Sequence, residues 1–255
     1  MNVTREVDLD ILTLDSIKES YANYVKKQDG KDYVIDDDKP WLSASMAGSC
    51  LKKQLYKMLQ TERDEIDPKS LLNLRHGNVV HNDIQEAIKS SPHEYTAIFT
   101  EYKIAHTELR VRGLADIIAV REDLAKIMDI KTMNSYAWKR KFGRKENRDP
   151  HPSTKYELQL GTYGFMWEEV GGNQVVEMSL IYFKKDDASM RESIVPLRYK
   201  ELAKEYWEEV NEILDEIEEP EELVPGESIN VPIERWECNY CAYASKCKSP
   251  FTKKK

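Results

Sequence analysis

Residues 113–131 read GLADIIAVREDLAKIMDIK. Two apolar runs rich in β-branched residues flank the polar triplet Arg121-Glu122-Asp123, the pattern of two strands joined by a tight turn. Strands are expected at 108–120 and 125–131, with Asp116 late in the first and Asp129-Ile130-Lys131 closing the second. Side chains two apart in a strand share a face, so Asp129 and Lys131 point the same way, and a hairpin brings Asp116 beside them. Burying Asp129 at the end of the apolar run KIMDI is costly without a metal or a charged partner. Two carboxylates beside an ammonium suit phosphodiester hydrolysis. The carboxylates hold Mg2+ or Mn2+ through hard oxygens, the cation polarises a phosphoryl oxygen and acidifies water, and the lysine orients that water or stabilises charge on phosphorus. A lone D-x-K also occurs at ordinary strand ends, so this pattern leaves both a metal site and a surface ion pair open.

Working outward, residues 11–27, 49–60 and 68–89 read as helices. Pro68 suits a first turn, and Leu71, Leu72, Val79, Ile84 and Ile88 supply an apolar face. A strand is expected at 97–104 ahead of the hairpin. Residues 132–154 are polar and basic with two prolines, which reads as an irregular or partly helical insertion. A helix at 155–169, strands at 174–184 and 190–196 and an amphipathic helix at 199–219 follow, the last with its acidic residues on a solvated face. This order implies an α/β or α+β domain with helices packed on a central mixed sheet.

The chain has 255 residues, 40% hydrophobic and 33% charged, enough for one domain with a substantial core. No apolar run approaches the roughly 18 residues of a membrane helix. The opening MNVTREVDLDILTL lacks a basic region followed by an apolar run, so a cytoplasmic protein is expected, or one in the host cytoplasm if the source is viral. The net charge of −8 argues against a uniformly basic surface. Segment 131–155 is nevertheless strongly basic, and screening lets a local strip bind phosphate on an acidic chain.

Four cysteines in such a chain suggest metal ligands or isolated buried thiols more than disulfides. Cys50 stands alone near the start, while Cys238-x2-Cys241-x5-Cys247 clusters near the end. Structural zinc sites more often have two close pairs. A bound centre joining all four closes a long loop and clasps the two ends of the domain.

Gly113-Leu114-Ala115-Asp116 followed by Asp129-Ile130-Lys131 resembles the G-x-x-D and D-x-K motifs of RecB-like nucleases of the PD-(D/E)XK type. Gln159-Leu160-Gly161-Thr162-Tyr163 is similar to the Q-x-x-x-Y motif of that branch, and the i,i+4 spacing puts both side chains on one helical face. His76-Gly77-Asn78-Val79-Val80-His81 ends in a histidine that resembles the family's helical metal ligand, with His76 as a rival. Ala115 stands where the superfamily name has proline, a position that is loose in this branch. The resemblance implies His81, Asp116, Asp129 and the Ile130 carbonyl as metal ligands for Mg2+ or Mn2+, Lys131 as the catalytic lysine, and Gln159 and Tyr163 as supports for the site. Glu101 and Glu108, on the preceding strands, are further carboxylates to which no role is assigned.

The one-plus-three cysteine pattern resembles RecB-family exonucleases with a [4Fe–4S] cluster, among them CRISPR-associated exonucleases, their viral relatives and AddB-type recombination nucleases. It implies Cys50, Cys238, Cys241 and Cys247 as cluster ligands, with zinc as the weaker alternative. Ser49-Cys50-Leu51-Lys52-Lys53 matches the family's cysteine with following basic residues. The implied fold is a restriction-endonuclease-like core of central mixed β-sheet flanked by helices, with N- and C-terminal parts joined at the cysteine-ligated cluster. The resemblance covers about residues 42–250. One nuclease domain over 1–255 is expected: an extension at 1–41, a helical part at 42–96 with Cys50 and His81, a catalytic core at 97–200, and a C-terminal helix with the cysteine segment at 201–255.

Between the motifs, Tyr136, Trp138 and Phe142 interleave with Lys139, Arg140, Lys141, Arg144, Lys145 and Arg148. Aromatic faces for bases and a basic groove for backbone hold single-stranded nucleic acid in this way. The alternative is a solvated loop whose aromatics dock on the core. The expected function is a metal-dependent DNA exonuclease acting on single strands or DNA ends in processing, recombination or repair. Its competitors are a non-catalytic nucleic-acid-binding or assembly factor on the same fold, and a zinc-binding structural protein.

Overall fold

In the computed structural model, which describes residues 14–29, 41–91, 94–148, 154–217 and 219–251, the expected hairpin forms. Strands β3 (Val111–Arg121) and β4 (Leu124–Met133) pair antiparallel from Arg121↔Leu124 to Ile117↔Met128. Glu122 turns the chain with a left-handed φ of 58°. β3 begins three residues later than expected, so Asp116 sits at its centre rather than near its end, and β4 runs two residues past Lys131.

β2 (Ala97–His106) lines one edge of β3 along its length. The other edge is shared. β4 occupies it at Ile117 to Arg121, and β1 (Leu42–Ser43) pairs parallel with Val111 and Arg112. Among the described residues, 113–116 between them have no strand partner on that edge, and the sheet forks there. β4 continues instead beside the parallel strand β5 (Gln174–Lys184), and the antiparallel β6 (Met190–Val195) completes the six-stranded sheet.

Helix α1 (Leu14–Asp29) packs on α3 (Pro68–Ser90), and the start of the helix expected from residue 11 lies outside the described residues. Asp67 caps α3 by accepting from Ser70 N–H at 3.0 Å, with Pro68 in the first turn where no amide is needed. The basic insertion contains a true helix, α4 (Ser135–Phe142), capped by Asn134 Oδ1 accepting from Ala137 N–H at 2.9 Å. Helix α2 spans Leu51–Met58, α5 spans Thr154–Gly171 and α6 spans Tyr199–Glu216. α5 is buried without interruption from Leu158 to Trp167, as befits a helix that is apolar nearly all round. It lies between the sheet and α6. α6 stops at Glu216, four residues before Pro220. Two short helices, α7 (Arg235–Asn239) and α8 (Ala244–Cys247), follow. Among the described residues no helix is long and apolar enough to cross a membrane.

Two contacts set the α5–α6 approach. Trp207 Nε1 donates to Thr162 Oγ1 at 2.8 Å, both side chains being fully buried. At Gly161 the Tyr199 carbonyl comes so close that an added Cβ would lie 2.0 Å from its oxygen. Gly161→Ala is therefore expected to lower the unfolding free energy by about 2–3 kcal/mol, read from urea denaturation. An unchanged midpoint would mean that α6 moves away at no cost.

Candidate functional site

The fork brings the motif residues together. One step beyond the last paired couple, Ile117↔Met128, Asp116 and Asp129 stand opposite each other. Asp116 Oδ2 accepts from the Ile130 backbone N–H at 2.7 Å, so a side chain spans the gap that the ladder leaves open. Asp129 is almost completely buried. Its Oδ2 lies 2.7 Å from Lys131 Nζ, but off a hydrogen-bonding direction, and is otherwise a buried oxygen without a donor.

α5 supplies the wall on this side. Gln159 Nε2 donates to Asp129 Oδ1 at 3.1 Å and lies 3.3 Å from Tyr163 Oη, while its Oε1 accepts from Lys131 Nζ at 2.9 Å. One amide thus holds both the carboxylate and the ammonium of the D-x-K motif. The Tyr156 ring, 4.7 Å from Lys131 Nζ, completes the ammonium's surroundings. Gly113 has a steric reason to lack a side chain: a Cβ there would meet Tyr163 Cε1 at 2.8 Å and Ala44 Cβ at 2.9 Å.

α3 supplies the other wall. His81 Nδ1 stands 3.4 Å from Asp116 Oδ2. One turn on, buried Gln85 donates to Glu101 Oε1 at 2.8 Å and to the Asp116 carbonyl at 3.1 Å. Gln85 was not among the residues singled out from sequence; its one signal is the i,i+4 spacing from His81. His76 is exposed, and Glu108 lies in the exposed turn after β2 rather than on a strand.

Burial pushes the Asp129 carboxyl up to about 6; the Lys131 charge pulls it back and Asp116 adds to the rise. Burial would lower Lys131, but the negative charge of Asp129 beside it more than offsets this, so the amine stays an ammonium. Burial, with the Asp129 charge, holds the Tyr163 phenol well above its ordinary range. Among the described residues no three His, Cys, Asp or Glu side chains are closed into a ready cage for an ion. At the fork Asp116 Oδ2 accepts from Ile130 N–H and Asp129 Oδ1 from Gln159 Nε2, while Asp129 Oδ2 meets Lys131 only as an ion pair.

The four cysteines share one cavity. Cys50, Cys238, Cys241 and Cys247 line it with Lys53, Tyr56 and Glu237. The C-terminal segment reaches it by docking on α2 and the loop that follows. Leu51 N–H donates to the Glu227 carbonyl at 2.9 Å, Asp64 N–H to the Ala242 carbonyl at 2.7 Å, and Lys155 pairs with Glu237. The Tyr56 and Tyr243 rings meet at 5.3 Å, and Gly226 N–H donates to Cys50 Sγ at 3.4 Å. Burial pushes the Cys241 and Cys247 thiols up, and the neighbouring cysteines push the same way.

On α4, Tyr136 is 70% exposed and Lys139 and Arg140 face solvent, as do Arg144 and Lys145 in the turn that follows the helix. Trp138 and Phe142 instead pack against the core, 4.8 Å apart, with Arg191 over both rings. Lys141 lies over Tyr182 at 4.7 Å. Of the aromatics read as base-stacking candidates, Trp138 and Phe142 serve to dock the helix.

No curated protein matches the chain. Among solved structures, the crystal structure of SSO0001 superposes with a TM-score of 0.52 at 16% identity, over 93% of this chain and 98% of that one. A chain from Eubacterium rectale, named "Putative exonuclease", gives a TM-score of 0.46 at 14% identity, over 73% and 85%. Residues 44–248, most of the sequence, match the PD-(D/E)XK nuclease superfamily. With the mixed sheet and its flanking helices, that match means the chain belongs to the PD-(D/E)XK nuclease superfamily.

Proposed function

We propose that the protein is a divalent-metal-dependent deoxyribonuclease, an exonuclease acting on single-stranded DNA or DNA ends in DNA processing, recombination or repair. The observation that carries this reading is the fork, where Asp116 and Asp129 oppose each other with Lys131 2.7 Å from Asp129 and His81 3.4 Å from Asp116. Family membership supports the nuclease chemistry, and the basic exposed face of α4 supports the polyanionic substrate.

His81, Asp116, Asp129 and the Ile130 carbonyl are the residues that would hold Mg2+ or Mn2+. The fit rests on Asp129 Oδ2, a buried carboxylate oxygen without a hydrogen-bond donor, and on a donor set of hard oxygens with one imidazole. A bound cation of this kind polarises a phosphoryl oxygen and lowers the pKa of water. Lys131, kept as an ammonium, stabilises negative charge developing on the phosphoryl group and is not the base. Gln159 fixes Asp129 and Lys131 relative to each other. Tyr163, kept neutral by burial, supports Gln159 and fills the space that Gly113 leaves.

The four thiols are assigned to a [4Fe–4S] cluster with a structural role, zinc being the alternative. Support comes from the cavity that all four line, where burial pushes the Cys241 and Cys247 thiols up and the neighbouring cysteines add to the rise, a cost that binding as thiolates to a cationic centre would relieve. On the substrate path, Tyr136 is the aromatic free to stack on a base, with Lys139, Arg140, Arg144 and Lys145 as phosphate partners. Phe142 and Lys141, against Tyr182, and Trp138, under Arg191, set the angle of α4.

Wild type should shorten end-labelled single strands in Mn2+ progressively and leave circles intact, and Lys131→Ala should be about 100- to 1000-fold slower. Equal activity of the two proteins would leave a non-catalytic binding role, and cutting of circles would mean an endonuclease. Anaerobically purified protein should carry about four irons per chain with visible sulfide-to-iron absorbance, and Cys247→Ala should lose both along with stability. Stoichiometric zinc without iron would replace the cluster by a zinc site. Alanine at Lys139, Arg140, Arg144 and Lys145 should weaken single-strand binding and flatten its salt dependence by about 0.7 per lost contact. Affinity unchanged across salt concentrations would take α4 out of the substrate path.

A further inference from the structure

Glu101 sits in the middle of β2 with a left-handed φ of 50°, a conformation that a non-glycine residue rarely adopts in a strand. The β2–β3 ladder runs from Ala97↔Val120 to His106↔Val111, and the one couple missing from it is Glu101 with Asp116. At that gap the Asp116 carbonyl accepts from Gln85 Nε2 at 3.1 Å, and the same nitrogen donates to Glu101 Oε1 at 2.8 Å. Gln85 is 3% exposed and lies one helical turn from His81. A strained strand residue, a missing ladder pair and a buried amide joining strand to helix thus coincide on one side of Asp116. Strain of this sort costs stability and persists where surrounding structure holds it in place.

Resting on the cation site proposed above, we infer that Gln85 and Glu101 form a positioning pair: Glu101 orients the Gln85 amide, and Gln85 fixes the Asp116 backbone and the α3 turn bearing His81, so that both ligands meet the cation preset. The pair acts by hydrogen-bond geometry and does not itself touch the ion. Outer partners that orient ligands typically govern metal affinity by about 10- to 100-fold.

The test is Mn2+ binding to the full chain, followed by electron paramagnetic resonance of the free ion, with Asp129→Asn marking a broken site. Gln85→Leu and Glu101→Ala remove the bridge and should weaken Mn2+ binding about 10-fold or more. Glu101→Gln keeps an acceptor for Gln85 Nε2 and should restore most of the affinity. Glu101→Gly relieves the left-handed strain, so its melting temperature should equal or exceed that of wild type while its Mn2+ affinity falls with that of Glu101→Ala. A purely structural role for Glu101 would move stability and affinity together, and this outcome overturns the inference. So does wild-type affinity in Gln85→Leu and Glu101→Ala, or a Glu101→Gln protein as weak as Glu101→Ala, which would make the carboxylate a direct ligand. Wild type that takes up no more Mn2+ than Asp129→Asn removes the cation site itself, and the positioning role with it.

Discussion

The Asp116–Ile130 hydrogen bond is the contact on which the rest of the site depends. β3 pairs with β2 from Val111 to Val120 save at Asp116, with β4 over its second half and with β1 at its start. A strand has two edges, so the two partners on the same edge cannot meet, and a gap of four residues opens between them. Unpaired backbone in a sheet interior is costly. Here a carboxylate reaches across and accepts the Ile130 N–H. The sheet therefore remains coherent while two acids and an ammonium sit inside it. The same opening leaves room for α5 to press Tyr163 against Gly113, so the branch point is filled by a helix rather than by a third strand.

A second constraint acts at long range. α2 and the C-terminal segment lie far apart in sequence, and they are joined by backbone hydrogen bonds at Leu51 and, in the loop after α2, at Asp64, and by the contact of Tyr56 with Tyr243, while Lys155 on α5 pairs with Glu237. These contacts surround the cysteine cavity. α2 leads through the loop at Asp64 into α3, the helix that carries His81. Order at the thiols is thereby linked through one connected stretch of chain to the wall of the fork, although the two places share no side chain.

Much of this was legible in the amino-acid order. The hairpin is visible because two apolar runs rich in β-branched residues on either side of a polar turn leave few other conformations, and the i,i+4 spacing of Gln159 and Tyr163 puts them on one face. What stayed hidden depended on tertiary partners. β1 is two residues long and exists because β3 offers an empty edge. The left-handed backbone of Glu101 contradicts its local preference, and Gln85 carries no signal beyond its distance from His81. The basic insertion is partly helical, as its sequence allows: Asn134 is a good cap, and Trp138 and Phe142 are four apart. Their interleaving with lysines suggested stacking on bases, but the core took both rings, because a large aromatic gains more from burial than from exposure.

The two-residue turn at Glu122-Asp123 works as a gauge for the chemistry. Strand side chains alternate, so slipping β4 by a single position against β3 would carry Asp129 and Lys131 to the opposite face and bring Met128 and Ile130 towards Gln159. Hydrophobic matching alone offers little protection against that error, since β4 is covered on both faces and Ile130 is as fully buried as Ile127. Turn length and the parallel register with β5 hold the frame. In relatives of this chain, insertions should accumulate in other loops long before they reach this corner.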